Sequence, residues 1–278
     1  MGIFNGCLLA CDVDGTLMAS GYINPENIKK VERFINEGGK FVISTGRGVT
    51  ALGPVIEKMK SISLAVVANG CIIYDYDNSE ILYDKVLPKN DYHFAEYIAN
   101  MGFDVGVEVH SGAQAYTLKR NNATTVHQIY EKFSAPDVNF EEICGLKWHK
   151  VIYLFEKAED REKAKEKLKN AKSECAFIDT CAVIDGELQN YLEQVPFGVS
   201  KAFALERLCE TLDIKKENLF AIGDYYNDLE MLKLSGICAA PEDSPEDIKQ
   251  IADYITCTCK RGAVADFIAY LETIYGNR

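Results

Sequence analysis

Residues 8–17 read LLACDVDGTL: an apolar run, two aspartates flanking a valine, then a glycine. A short apolar run that stops at acidic and turn-forming residues marks a buried strand emerging at the edge of a sheet. Residues 7–10 are therefore expected to form a buried strand. Asp12 and Asp14, two apart, point the same way if extended geometry persists, and Gly15 permits a turn that offers backbone N–H groups to an anion.

The flanking sequence repeats this grammar. Asn24 offers an N-cap with Pro25 at the first helical position, and Ile28, Val31, Phe34 and Ile35 line one helix face until Gly38-Gly39. Residues 41–44 read as a second strand, a helix passes through Val55 and Met59, and residues 64–68 form a third strand ending in Asn69-Gly70. Strand and helix in alternation predict a parallel sheet. Residues 83–189 change texture, with alternating segments at 105–109, 114–118, 151–155 and 176–182, while the charge run 157–172 reads as a solvated helix. From Val199 the βα rhythm returns. It gives a helix over 200–212, strands at 219–222, 236–239 and 254–256, a helix capped by Ser244-Pro245 and a last helix over 263–275. The expected architecture is α/β: a doubly wound, Rossmann-like parallel sheet made from 1–82 and 190–278, interrupted by an inserted α+β module at 83–189.

Composition bounds the partners. The 278 residues carry 30 Lys and Arg against 42 Asp and Glu, a formal net charge of −12, which repels nucleic-acid phosphates and anionic lipid. No apolar run approaches the roughly 18 residues of a membrane span. Leu8-Leu9-Ala10-Cys11 lacks the preceding basic residue of a lipoprotein signal, and Gly6 stands where a myristoylation motif needs Ser or Thr. The ten cysteines are scattered, as small buried hydrophobes in a reducing cytoplasm, and Cys257 and Cys259 read as strand alternation. A small metabolite is the expected partner; oligomeric state is not readable.

Four predicted strands end in polar residues: Asp12 and Asp14; Thr45, Gly46 and Arg47; Asn69; and Asp224 with Asp228. In an open α/β sheet, ligands bind outside the carboxyl ends of the strands, so these tips converge on one crevice. Of Asp12 and Asp14, one carboxylate can attack phosphorus while the other moves a proton to the leaving oxygen and from water. Two unit charges about 4 Å apart repel by roughly 4 kcal/mol at an effective dielectric of 20, so four carboxylates facing a phosphate demand a hard divalent cation. Mg2+, which takes oxygen ligands, fits a sphere of Asp12, the backbone carbonyl of Asp14, Asp224 and, through water, Asp228. Lys201, at a helix start, and the Thr45 hydroxyl would neutralise phosphoryl oxygens. Arg47 either reaches the substrate or fixes its loop.

Taken together, LLACDVDGTLMASG, the STGR of residues 44–47, Lys201 in GVSKAFAL and GDYYNDLEML from Gly223 resemble motifs one to four of the haloacid dehalogenase superfamily of phosphohydrolases, in order. The stretch between Thr45 and Lys201 leaves room for the large type IIB cap of the Cof-like branch, and Ala68-Asn69-Gly70 matches the Asn-Gly that precedes such caps. The resemblance implies Asp12 as the residue that becomes an aspartyl phosphate and Asp14 as general acid and base. It implies Thr45 and Lys201 as phosphoryl binders, Asp224 and Asp228 at Mg2+, and Asn227 beside the phosphate or the metal's water. Gly46, Arg47 and Asn69 are expected at the substrate. Ala202 stands where the family often has Gly, and residues 239–244 read AAPEDS where it often has Met-Gly-Asn-Ala.

Rival chemistries fare worse. No cysteine has Arg six positions later, which removes a thiolate phosphatase, and His93, His110, His127 and His149 all fall in the inserted segment. A phosphoacceptor regulatory protein needs a lasting acyl phosphate, which a carboxylate at position 14 would destroy. A phosphomutase on the same core differs in returning the phosphoryl group to a hydroxyl. The expectation is a Mg2+-dependent cytoplasmic phosphatase acting on a small phosphate monoester such as a sugar phosphate.

Overall fold

The structure is a computed structural model that describes residues 2–184 and 186–276. Contacts divide the chain into two compact units, Met1–Gly46 with Val55–Leu82 and Ser200–Arg278, and Arg47–Pro54 with Tyr83–Val199.

In chain order the first part runs β1 (Leu8–Cys11), a short hairpin of β2 (Met18–Ala19) and β3 (Tyr22–Ile23), α1 (Pro25–Asn36), β4 (Lys40–Ser44), α2 (Val49–Met59), β5 (Leu64–Val67), β6 (Ile72–Asp75) and β7 (Glu80–Asp84). The insert holds α3 (His93–Ala99), β8 (Val105–Ser111), β9 (Gln114–Lys119), α4 (Asn122–Glu131), α5 (Phe140–Ile143), β10 (Lys150–Phe155), α6 (Ala158–Leu168), β11 (Cys175–Ile184) and β12 (Glu187–Pro196). The chain closes with α7 (Lys201–Leu212), β13 (Leu219–Ile222), α8 (Leu229–Leu234), β14 (Ile237–Pro241), α9 (Glu246–Lys249), β15 (Tyr254–Thr256) and α10 (Ala263–Tyr275).

The first unit is built on a sheet of order β15-β14-β13-β1-β4-β5-β6-β7. Its first six strands pair in parallel, with Leu8 opposite both Lys40 and Leu219. β1 (LLAC) and β13 (LFAI) are buried at every position, the continuous apolar reading of a strand covered on both faces. Cover comes from helix pairs, α1 with α10 and α7 with α8. Asn24 caps α1 by accepting from the Glu26 N–H at 2.9 Å, and Val31 and Phe34 are buried while Ile28 and Ile35 are only half-buried. Phe4 lies between Phe34 and Tyr275, joining α1 to α10. The chain steps from β1 to β4 and β5 on one side and later adds β13, β14 and β15 on the other. The switch point, where a crevice opens, lies between β1 and β13.

The second unit is an antiparallel sheet of order β11-β12-β10-β8-β9. Alternation divides its faces. Val105, Val107, Val109, Val151, Tyr153, Phe155 and Leu192 join one apolar core with Phe94, Ala95 and Ile98 of α3 and Ala164 and Leu168 of α6. Glu108, His110, Lys150, Tyr191 and Glu193 occupy the opposite face with α4. The two crossings of this insert meet: the Lys85 ammonium donates to the Phe197 carbonyl at 2.6 Å.

Four details differ from the sequence reading. The second boundary falls after Val199 rather than at 189/190, because β12 runs through position 190 as a ten-residue partner of β11. After Gly70 the chain turns back as β6, antiparallel to β5, so the sheet is not purely parallel. Ser244 does not cap α9: its hydroxyl is buried without a partner and Pro245 takes the cap position. Cys257 and Cys259 lie past the end of β15, where their N–H groups donate to Asp266 and Asp243. No helix among the described residues is long and apolar enough to cross a membrane.

Candidate active site

The site begins where β1 and β13 run out together. The Asp12 N–H donates to the Ile222 carbonyl at 3.0 Å, extending the ladder by one rung and fixing Asp12 beside the loop after β13. The chain then turns, with the Leu17 and Met18 N–H groups donating to the Val13 carbonyl and Gly15 N–H to Met18. Gly15 is required twice over. Its φ is +88°, and a Cβ there would lie 2.3 Å from Asp224 Oδ2. The turn thus delivers the buried Thr16, whose hydroxyl donates to Asp224 Oδ1 at 2.9 Å.

Asp228 organises the other side. Its Oδ2 accepts from the N–H groups of Asp224 and Tyr225 at 3.0 and 3.1 Å, closing the turn on itself. A Cβ on Gly223 would lie 2.5 Å from Asp228 Cγ, so the loop can close this tightly only with glycine there. Oδ1 of Asp228 accepts from the Lys201 ammonium at 2.6 Å, and the same ammonium donates to Asp12 Oδ1 at 2.6 Å. Lys201 is the first residue of α7; the Ser200 hydroxyl caps that helix by accepting from Phe203 N–H at 3.2 Å. The Asn69-Gly70 turn sits against this start, since a Cβ on Gly70 would lie 2.1 Å from the Ser200 carbonyl oxygen. Asn69, with φ +56°, donates its N–H to the Thr45 carbonyl at 3.0 Å, and Gly46 lies against its amide.

Asp12, Asp224 and Asp228 each present a carboxylate oxygen within 4.8 Å of the others. Burial, then the carboxylate of Asp228, pushes Asp224 up to about 7 against the pull of Thr16 and Lys201. Burial also raises Asp12 well above the usual range; Lys201 opposes this, and Asp228 and Asp224 add to it. Burial alone would lower Lys201, but Asp12 and Asp228 more than offset it and keep the ammonium charged. Fully ionised, the three carboxylates and one ammonium would carry an excess of two negative charges on hard oxygen donors, and the raised Asp12 and Asp224 show how strongly the cluster by itself resists that state. That donor set fits a divalent cation of the Mg2+ type.

Of the residues expected at the site, the structure brings Asp12, Asp224, Asp228 and Lys201 into contact, and joins Thr45, Gly46 and Asn69 at the adjoining tips. Asp14 is half-buried in the same turn as Gly15, outside the three-carboxylate group; Asn227 is exposed on the turn that carries Asp228. Arg47 belongs to the second unit, donating to the Ala51 carbonyl at 3.4 Å with its guanidinium 5.9 Å from the centre of the Tyr130 ring. Thr16 was not singled out from the sequence. Its signal was a hydroxyl placed one residue past the turn glycine of an acidic strand tip.

The sequence profile of the haloacid dehalogenase-like hydrolase family matches residues 9–268. Among curated proteins, the chain is 28% identical over 267 residues to the 5-amino-6-(5-phospho-D-ribitylamino)uracil phosphatase YcsE of Bacillus subtilis, covering 95% of this chain and 94% of that one. It is 26% identical over 286 residues to the phosphatase YwpJ of the same organism, covering 95% and 99%. Among solved structures it superposes on a haloacid dehalogenase-like hydrolase from Bacteroides thetaiotaomicron with a TM-score of 0.82 at 25% identity, covering 95% and 99%.

Proposed function

This chain belongs to the haloacid dehalogenase-like hydrolases, and we propose that within that family it is a Mg2+-dependent phosphatase that hydrolyses a small phosphate monoester, a sugar phosphate or related metabolite, through an aspartyl phosphate on Asp12. The observation that carries this reading is the meeting of Asp12, Asp224, Asp228 and Lys201 at the sheet's switch point. Two relatives named as phosphatases, one for an ester on a ribityl chain, support it.

In the first half-reaction an Asp12 carboxylate oxygen attacks phosphorus, the phosphorus–oxygen ester bond breaks, and Asp14 gives its proton to the departing alcohol oxygen. In the second, Asp14 takes a proton from water, the water oxygen attacks phosphorus, and Asp12 and inorganic phosphate are released. The Lys201 ammonium has three N–H bonds and spends two on Asp12 and Asp228, leaving the third for a phosphoryl oxygen. Thr45, Gly46 and Asn69 would position the transferring group, with Asn227 and Arg47 as further substrate contacts. A Mg2+ held by Asp12, Asp224, Asp228 and the Asp14 carbonyl supplies charge neutralisation when bound. Specificity is assigned to the inserted unit.

The test is release of inorganic phosphate from a panel of phosphorylated metabolites, with and without Mg2+, by wild type and Asp12→Asn. Wild type is expected to turn over with Mg2+ only, and Asp12→Asn, nearly isosteric, to fold and be inert. Substantial turnover by Asp12→Asn would remove Asp12 from its role.

A further inference from the structure

β9 and β11 are the two edges of the inserted unit's sheet, and they are treated differently. Against β9 lies the segment 135–138. The Thr117 N–H donates to the Pro136 carbonyl at 2.9 Å, the Val138 N–H to the Thr117 carbonyl at 3.0 Å, and the Thr117 hydroxyl to the Ala135 carbonyl at 3.1 Å. β11 has no such cover: among the described residues, the backbone of 176–184 bonds to β12 alone. A ladder engages one side of an edge strand, so this ten-residue strand turns a row of N–H and C=O groups outward. Proteins blunt such edges with shortness, Pro, Lys or a bulge. CAFIDTCAVI contains no Pro, Gly or basic residue, and its register with β12 is unbroken. Its one charge, Asp179, is taken up by Arg161 and Lys165 of α6, and Ile178 beside it is 40% exposed.

The surroundings of the edge identify what fits it. A groove of about 400 Å³ runs between β11 and α6, lined by Phe177 and Leu168 among Glu162, Lys165, Glu166 and Lys169. The helix has a charge direction, with Glu159 and Asp160 in its first turn and Lys165 and Lys167 in its last. Together α6, Lys169 and β11 hold five acidic and five basic residues, neutral in a chain of net charge −12, so a second copy meets no net repulsion here. An antiparallel pair of β11 strands has its two-fold axis normal to the sheet. That axis keeps α6 and its copy on one side of the sheet, running in opposite directions, with the acidic end of each towards the basic end of the other. We propose that β11 pairs antiparallel with β11 of a second copy, joining two five-stranded sheets into one. With Ile178 at the axis, Phe177 stands opposite Asp179 and Ala176 opposite Thr180, so no like charges face each other. A strand from an unrelated protein would meet the same backbone groups without this reversal of charge. The proposal is independent of the phosphatase reading.

The test is sedimentation of the full chain over a range of concentrations, with amide exchange followed in parallel. Wild type is expected to be a dimer at about 100 μM and to dissociate on dilution. Exchange of the β11 amides should slow about 10-fold or more from the dilute to the concentrated sample, with β9 unchanged. Ile178→Lys sets two ammonium groups against each other at the axis, at a position exposed enough to accept Lys in the monomer. Association should weaken about 30-fold or more in that variant, with an unchanged circular dichroism spectrum. The exchange measurement is made on wild type and decides the matter even if the variant does not fold. A wild type that stays monomeric at about 100 μM overturns the proposal and leaves the edge to another protein's strand. A dimer whose β11 amides exchange as fast as in the monomer also overturns it, as does a folded Ile178→Lys that dimerises like wild type.

Discussion

Replacing Lys201 with Met removes the one ammonium shared by Asp12 and Asp228 while keeping a side chain of similar length. The two contacts, each 2.6 Å, involve side chains only 1%, 7% and 0% exposed. At an effective dielectric of 20, each attraction is about 6 kcal/mol. Returning the ammonium's desolvation cost offsets several kcal/mol of this. What remains is a group of carboxylates with oxygens within 4.8 Å, repelling by about 3 kcal/mol per pair. The net expectation is a loss of about 3–5 kcal/mol, the usual result of removing one partner from a buried ion pair. Because a chain of two units need not unfold in one step, amide hydrogen exchange in β1 and β13 is the suitable assay. Exchange there should accelerate about 100-fold or more. A change below about 5-fold, the range of a solvated surface pair, would show that Lys201 does not hold the cluster together.

Gly15→Ala forces a side chain into the left-handed region, at about 1–2 kcal/mol, and against Asp224; Mg2+ affinity by calorimetry should fall at least about tenfold, and wild-type affinity would contradict the packing described. Asp224→Asn keeps the shape that meets Thr16 but removes a charge, so Mg2+ binding should weaken at least about tenfold with exchange in β13 little altered. His127 is raised to about 10 because the carboxylates Glu131 and Glu108 outweigh its burial, so its contribution to stability is complete below about 6.5 and disappears as pH rises towards 10. Glu131, held at about 2 by His127 despite burial, contributes fully above about 4.5 and loses that contribution as pH falls towards 2. The urea midpoints of wild type and His127→Gln should therefore converge between pH 6.5 and 10, at up to about 1.4 kcal/mol per pH unit; a constant gap would refute the assignment.

The strand tips were legible because each couples an apolar run to a polar residue with a specific task, as in the runs ending at Asp12, Thr45 and Asp224. Asn24-Pro25 gave the start of α1 for the same reason: cap chemistry is local. What depends on distant chain was hidden. Nothing near Thr16 announces an acceptor on residue 224, and Gly223 looks like any loop glycine until Asp228 folds back over it. The seam expected at 189/190 falls inside β12, which is held there by pairing with β10 and β11, a partnership between distant segments that no local residue announces. The alternating strands of the insert were visible, but not which polar positions would be buried: Glu108 is tolerable at 0% exposure only because His127 and Gln128 arrive from α4.

The bond from Lys85 to the Phe197 carbonyl bears on how such a chain assembles. β1 must find β13, pairing Leu8 with Leu219 across a long intervening stretch. The entropy lost in closing a loop grows with its length, though slowly. Once residues 83–199 have condensed and their exits are pinned to each other, they act as a short tether. The interrupted sheet then searches as though it were nearly continuous.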